Sequence, residues 1–269
     1  MHRTTSSLPL LEPFRYPRAS VYKGLRKRLI WATRGTRTVA KGILLDFEGT
    51  VARRADGHLG PCVREVRNLG HDVYRPELQA AYDYVLRVEF PKKGYDDVEA
   101  FVEAVMKHLG FKPKRTELMA LAPLFTEYHR FAPYDDAARA VPGLAKAFKA
   151  AVVSALPAFL VKPVLEPIAP GLAVVTPREA KAALPNPKVF QAGAQALGLR
   201  PKDVAVVSAD CEDGLAVPKS LGFRTVFLRR QDGSCDSASL TVASLEELEA
   251  ALKPAPPKTS APAPVVAHA

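Results

Sequence analysis

From residue 43 onward, short runs of apolar and β-branched residues alternate with stretches of helical periodicity. The runs Ile43–Phe47, Ala151–Ser154, Leu172–Thr176, Val204–Ser208 and Arg224–Leu228 are apolar almost throughout rather than at every second position, as in strands covered on both faces. Helical spacing is found at Gly143–Ala150, Pro187–Leu197, Gly214–Leu221 and Ser244–Leu252. This alternation predicts parallel βαβ units, and hence an α/β fold with a doubly wound parallel sheet.

Between the first two strands lies a long segment of different texture. Leu78, Ala81, Tyr82, Val85 and Leu86 recur at helical spacing, and Pro91 is expected to close that helix. Val98, Phe101, Val102, Val105 and Leu109 repeat the pattern, opened by a capping-box-like Asp96 and Glu99 and stopped by Gly110. A weaker third helix follows Thr116, perturbed by Pro123. The segment therefore reads as a helical insertion over residues 56–136, capping the carboxyl edge of a core formed by 43–55 and 137–253. The Pro/Ala-rich residues 254–269 have little to bury and are expected to form an extended or disordered tail.

Charge sharpens this division. The net charge is +10, yet residues 43–269 hold 28 basic and 27 acidic side chains, so nearly all the excess sits in residues 1–42. A near-neutral body argues against a nucleic-acid-binding face on the folded domain. The arm itself, with Glu12 as its only acid, has the composition of an organellar transit peptide, which makes the mitochondrial matrix the expected location and the cytoplasm the alternative. A disordered basic extension and an arm contacting a protein or ribonucleoprotein complex are the other readings. No stretch is long and apolar enough to span a membrane. Cys62, Cys211 and Cys235 are widely spaced and odd in number, which suggests neither a disulfide framework nor a cysteine metal site and suits a reducing compartment. The six histidines show no metal-ligand spacing and read as surface or helix residues.

The clearest chemistry lies where the first strand ends, in Asp46-Phe47-Glu48-Gly49-Thr50. Open α/β sheets bind ligands outside the carboxyl ends of their strands, and here two carboxylates arrive there together. Gly49 permits a sharp turn and Thr50 adds a hydroxyl. One carboxylate is suited to attack an electrophile while the other moves a proton. An acidic strand-to-loop turn without chemistry is the plain alternative.

A strand ending DxxGT, a helical insertion, a strand ending in Val152-Val-Ser-Ala155 and an apolar strand leading into an acidic loop together resemble the haloacid dehalogenase (HAD) superfamily, first cap subclass, over about residues 40–230. Later stretches carry the resemblance further: Leu184-Pro-Asn-Pro-Lys-Val-Phe190, Leu197-Gly-Leu-Arg-Pro201, Val206-Val-Ser-Ala-Asp-Cys-Glu-Asp213, Leu221-Gly-Phe-Arg-Thr-Val226 and Arg229. The resemblance implies a Rossmann-like core, Asp46 as a covalent nucleophile, Glu48 as acid/base, and Ser154 holding the transferring group. It implies Gly49 and Thr50 at the substrate, and Asp46, Glu48, Asp213 and Asp210 as ligands of Mg²⁺. The family's usual Lys before Pro is Leu184 here, which leaves Lys181 as the substitute cation, with Lys188 a second candidate. A first acidic-loop carboxylate is expected four or five residues before Asp213, where Ala209 and Ser208 stand, so Asp210 would have to act from a shifted position.

Three readings follow. The first is a Mg²⁺-dependent phosphatase acting on a small phosphate ester, favoured by Glu48 because a carboxyl can protonate a leaving alkoxide. The second is a catalytically degenerate scaffold or assembly subunit, joined to a protein or ribonucleoprotein complex through the arm. The third is a dehalogenase or other metal-independent hydrolase.

Overall fold

The computed structural model describes residues 40–55 and 57–253; the arm before residue 40 and the Pro/Ala-rich tail lie outside them. In chain order the elements are β1 (Gly42–Asp46), β2 (Ala52–Arg54), α1 (Gly60–Asn68), α2 (Arg75–Tyr84), α3 (Phe90–Lys93), α4 (Val98–His108), α5 (Arg115–Tyr128), β3 (Phe131–Pro133) and α6 (Asp135–Ala147). They continue as β4 (Lys149–Val153), α7 (Ala158–Leu165), β5 (Ala173–Val175), α8 (Pro177–Ala180), α9 (Pro187–Ala196), β6 (Val204–Ser208), α10 (Ala216–Ser220), β7 (Arg224–Leu228), β8 (Leu240–Val242) and α11 (Leu248–Leu252).

Six strands form one parallel sheet in the order β5-β4-β1-β6-β7-β8. Pleating sends alternate residues of β1 to opposite faces. Ile43 and Leu45 join Val152, Val207 and Leu248 on one side, while Leu44 joins Val153, Phe190 and Val206 on the other. Each such fully buried side chain contributes roughly 1.5–3 kcal/mol of burial energy. Gly193 lets α9 approach the sheet, since a Cβ there would stand 2.7 Å from Leu44 Cδ1.

Strands β6 and β7 match the sequence expectation in both bounds, and β1 begins one residue earlier than expected. The helix expected at 143–150 instead begins at Asp135 and gives way to β4 at Lys149. The short strand β8 and helices α1 and α7 were not legible as periodic runs. Nor was the antiparallel ribbon β2–β3, which joins the insertion to the sheet.

The insertion holds five α-helical segments rather than three, around a core that includes Leu78, Tyr82, Phe101, Val105, Leu121 and Phe125. Pro91 does not end its helix. A π-turn at Val85–Glu89 resets the hydrogen-bond ladder, and Pro91 falls in the first turn of α3, where its missing N–H has no partner to lose. The cap of α4 is Asp97, not Asp96, with its Oδ1 accepting from Ala100 N at 2.8 Å. Asp96 instead pairs with Arg178 of α8, tying the insertion to the core. No helix among the described residues is long and apolar enough to cross a membrane.

Candidate active site

Asp46 closes β1 at the carboxyl edge of the sheet, flanked by β4 and β6. Its Oδ2 accepts a hydrogen bond from Ser208 Oγ at 2.8 Å. The same Ser208 Oγ accepts from Asp210 N at 2.9 Å, linking the candidate nucleophile to the acidic loop. Gly214 makes this close fit possible, because a Cβ there would lie 2.1 Å from Ser208 Oγ. Burial pushes the Asp46 carboxyl up from 3.8 to about 7; the Ser208 hydrogen bond opposes the shift, and the charges of Asp210 and Glu48 add to it.

The neighbouring turn is built as expected. Gly49 takes a φ of 79° and its N–H bonds Ala52 O at 2.8 Å, turning the chain into β2 and leaving Glu48 exposed beside Asp46. Thr50 is fully buried and acts as a latch rather than an open substrate contact. Its Oγ1 accepts from Ala209 N at 2.8 Å and its carbonyl accepts from Arg230 Nη2 at 2.6 Å. Arg230 also donates to Asp136 Oδ1 at 2.8 Å and lies 4.0 Å over the Tyr134 ring. Ser154 is buried at the end of β4, its hydroxyl oxygen accepting from Leu156 N at 3.0 Å.

Lys181 is not brought to Asp46. It is exposed at the left-handed end of α8, with a φ of 50°, and makes no ion pair among the described residues. Lys188 is exposed as well. Leu184, where the resemblance expects a Lys, packs against the apolar face that contains Leu44 and Phe190. No cation figures among the groups that set the Asp46 pKa.

The four carboxylates expected to bind Mg²⁺ do not form a metal group either. Among the described residues no three His, Cys, Asp or Glu side chains are arranged to hold a metal ion. Asp210 turns its Oδ1 to the backbone N–H groups of Glu212 and Asp213, both at 2.9 Å, so it shapes the loop. Asp213 is exposed, its carboxyl raised by partial burial and by Asp210 and Glu212, with Arg87 of the π-turn opposing. Ser208 supplies a hydroxyl, not a carboxylate, at the place nearest Asp46. The described residues thus offer no cluster of three such side chains, and a Mg²⁺ ion here would rest on one or two carboxylates completed by water and substrate oxygens.

A cleft of about 590 Å³ opens beside the Glu48–Gly49 turn, walled by Glu48, Asp210, Glu212, Asp213 and Asp232, with Arg230 among the lining residues. Asp46 does not line this cleft but keeps partial exposure of its own. Cys211 also lines the cleft and forms a disulfide with Cys235, with an S–S distance of 2.04 Å. This corrects the expectation of three free thiols; Cys62 alone is free, and it is buried. The histidine reading also needs correction at His129, which is 3% exposed and accepts from Arg54 Nη2 at 3.0 Å.

No family model matches this chain, and no curated protein matches it. Solved structures do. A 2-haloacid dehalogenase from Pseudomonas syringae pv. Tomato DC3000 aligns over 79% of this chain and 98% of its own, at 16% identity and a TM-score of 0.59. A HAD phosphatase from Thermococcus onnurineus covers 79% and 97%, at 22% identity and a TM-score of 0.52. The L-2-haloacid dehalogenase of Xanthobacter autotrophicus covers 78% and 97%, at 18% identity and a TM-score of 0.51. Sheet, insertion and these alignments define the class: the protein has the haloacid dehalogenase fold, an α/β Rossmann-like core with a helical cap insertion. At these identities the likeness is one of fold.

Proposed function

We propose that the protein is a metal-independent hydrolase in which Asp46 forms a covalent ester with a carbon electrophile. The observation that carries this reading is the Ser208 hydroxyl on Asp46, standing where a metal-binding carboxylate is expected, while the acidic side chains around it form no metal group. A phosphoryl dianion would meet Asp46, Glu48, Asp210 and Asp213 with Leu184 in place of the expected Lys and Lys181 exposed elsewhere, a loss of a few kcal/mol of transition-state stabilisation. A carbon centre brings no such charge to the point of attack.

In the proposed sequence the ionised Asp46 carboxylate attacks carbon, and the leaving group departs with its electron pair. Water then adds to the carbonyl carbon of the Asp46 ester. Glu48 takes a proton from that water and returns it to the departing alkoxide oxygen as the adduct collapses, so the alcohol leaves, and the regenerated Asp46 carboxyl gives its remaining proton to solvent. Fold neighbours of this kind include an L-2-haloacid dehalogenase with chloropropionic acid covalently bound.

The test is turnover of the full chain on a panel of 2-halocarboxylates, aryl esters and an aryl phosphate, with EDTA or Mg²⁺, beside the Asp46→Asn variant. Asp46-dependent turnover that is indifferent to EDTA, with heavy oxygen from labelled water entering the Asp46 peptide, supports the proposal. Aryl phosphate hydrolysis that needs Mg²⁺ would return the assignment to a Mg²⁺-dependent phosphatase of small phosphate esters. Leu184 in place of the expected Lys, with Lys181 exposed, favours one other reading, the degenerate scaffold, and a well-folded chain with no Asp46-dependent turnover would establish it.

A further inference from the structure

Two loops at the carboxyl edge of the sheet are joined by a covalent bond. Cys211 lies in the acidic loop after β6 and lines the cleft, Cys235 directly follows the lining residues Gly233 and Ser234, and both cysteines are partly exposed. The strands themselves do not need this bond. Strands β6 and β7 pair along their length, and the far side of the second loop is tied by Thr225 Oγ1 donating to Ser237 O at 2.6 Å and Ser239 Oγ donating to Thr225 O at 2.7 Å. Gln231, Asp232, Gly233 and Ser234 differ: all are exposed, and none makes a hydrogen bond among the described residues. The disulfide is the covalent tie that holds this stretch against the acidic loop.

On its other side the bond adjoins the support of the candidate nucleophile. Asp210, next to Cys211, gives its N–H to Ser208 Oγ at 2.9 Å, and that hydroxyl donates to Asp46 Oδ2 at 2.8 Å. Ala209 N donates to Thr50 Oγ1 at 2.8 Å, and the Asp210 carboxylate holds the N–H groups of Glu212 and Asp213. Exposed disulfides are the ones that thiols reach and open. No third thiol competes for the pair. Cys62 is buried in the cap core, where burial pushes its pKa up to about 12, so it offers no thiolate for exchange.

We infer that Cys211–Cys235 is a redox-controlled modification site, opened by a small dithiol, whose opening frees the acidic loop and loosens the hydrogen bonds that hold Asp46. One thiolate of the dithiol attacks a cysteine sulfur, forming a mixed disulfide and expelling the other cysteine as a thiolate that takes a proton from solvent. The second thiol of the dithiol, once deprotonated, displaces the first cysteine in the same way. The cysteine pair thereby gains two electrons and two protons, and the dithiol becomes a disulfide. The loosening of the loop follows from the fold alone; that it lowers turnover rests on the hydrolase reading.

The test places the full chain in buffers of reduced and oxidised dithiothreitol and reads the state of the bond by alkylation and mass spectrometry. Amide hydrogen exchange is followed across residues 208–214 and 229–236, with β1 and β4 as reference, and circular dichroism reports the fold. The bond should open and re-form in the folded chain, and opening should speed exchange at Ala209–Asp213 at least about fivefold, the equivalent of one lost hydrogen bond, with β1 and β4 unchanged. Cys211→Ser and Cys235→Ser should each exchange like the reduced chain and ignore the dithiol. A bond that opens only when the chain unfolds, or one whose opening leaves the acidic loop as protected as before, overturns the inference. Turnover on the 2-halocarboxylate and ester panel should fall by a similar factor, and it separates the two proposals. A loop that loosens in a chain without Asp46-dependent turnover sinks the hydrolase reading alone, whereas turnover unchanged by opening the bond sinks this inference alone.

Discussion

Replacing Asp46 by Asn should stabilise the protein at alkaline pH and leave it unchanged in acid. Burial raises the Asp46 pKa to about 7 in the folded state, against an ordinary 3.8 when unfolded. The folded chain therefore holds a proton that the unfolded chain releases between these values, and folding is penalised as pH rises through this window. Below pH 4 both states are protonated and the penalty is absent. Above pH 8 it is complete, with a ceiling of ~4 kcal/mol at ~1.4 kcal/mol per pH unit. Asp46 is not fully closed off, and water reaching it reduces this to roughly 2–3 kcal/mol. Asn keeps an oxygen to accept from Ser208 and carries no charge. Urea melts of wild type and Asp46→Asn at pH 4, 6 and 8 should diverge by that amount as pH rises. Parallel curves, or a variant less stable than wild type at pH 8, would refute the argument. The expected outcome also has functional meaning: a charge kept at the expense of stability in a partly open site is what an activated nucleophile requires.

The same carboxyl sets the expected rate profile, since only its ionised form attacks: kcat/KM should rise about tenfold per pH unit below 7 and level off above it, and a flat profile from pH 5 to 8 would exclude Asp46 as the attacking group. Arg230→Met should destabilise the fold by about 3–5 kcal/mol in urea melts, because Asp136 is 8% exposed and would lose the cation at 2.8 Å. Reducing Cys211–Cys235, which closes 24 positions of sequence, should lower stability by about 3.5 kcal/mol, checked by melts with and without a dithiol and by comparison with Cys211→Ser. A stability unchanged by the dithiol, with the bond shown to be open, would count against a constraint on the unfolded chain.

The sheet could be read from the chain because each buried strand is a self-contained signal: five apolar residues between turn residues need no partner to be recognised, as β6 and β7 show. The insertion was legible as helical for the same reason, though not in its detail. Pro91 reads as a stop only if the ladder is α throughout, and the π-turn before it changes that. The disulfide was hidden because spacing along the chain carries little information about it. Cys211 follows β6 and Cys235 follows β7, and those strands are parallel neighbours, so the loops leaving them emerge side by side. Arg54 and His129 lie 75 positions apart and meet only because β2 and β3 pair antiparallel.

Register, more than position along the chain, decides which side chains stand beside Asp46 as possible metal ligands. Counting back from Asp213 locates a carboxylate that ought to precede it, but what decides which side chain meets Asp46 is the pairing of β1 with β6. Leu45 lies opposite Val207, so the next residues, Asp46 and Ser208, come together 162 positions apart. Ser208 therefore occupies the position from which a first acidic ligand would act, while the shifted Asp210 spends its Oδ1 on two loop N–H groups. If so, Ser208→Asp should create what the wild type lacks. Without metal, two carboxylates in contact would repel and lower stability at pH 8. With Mg²⁺ at ten times its dissociation constant, the variant should regain ~1.4 kcal/mol, while the wild type should not respond. An equal response of both proteins to Mg²⁺ would show that register at this strand end does not govern metal binding.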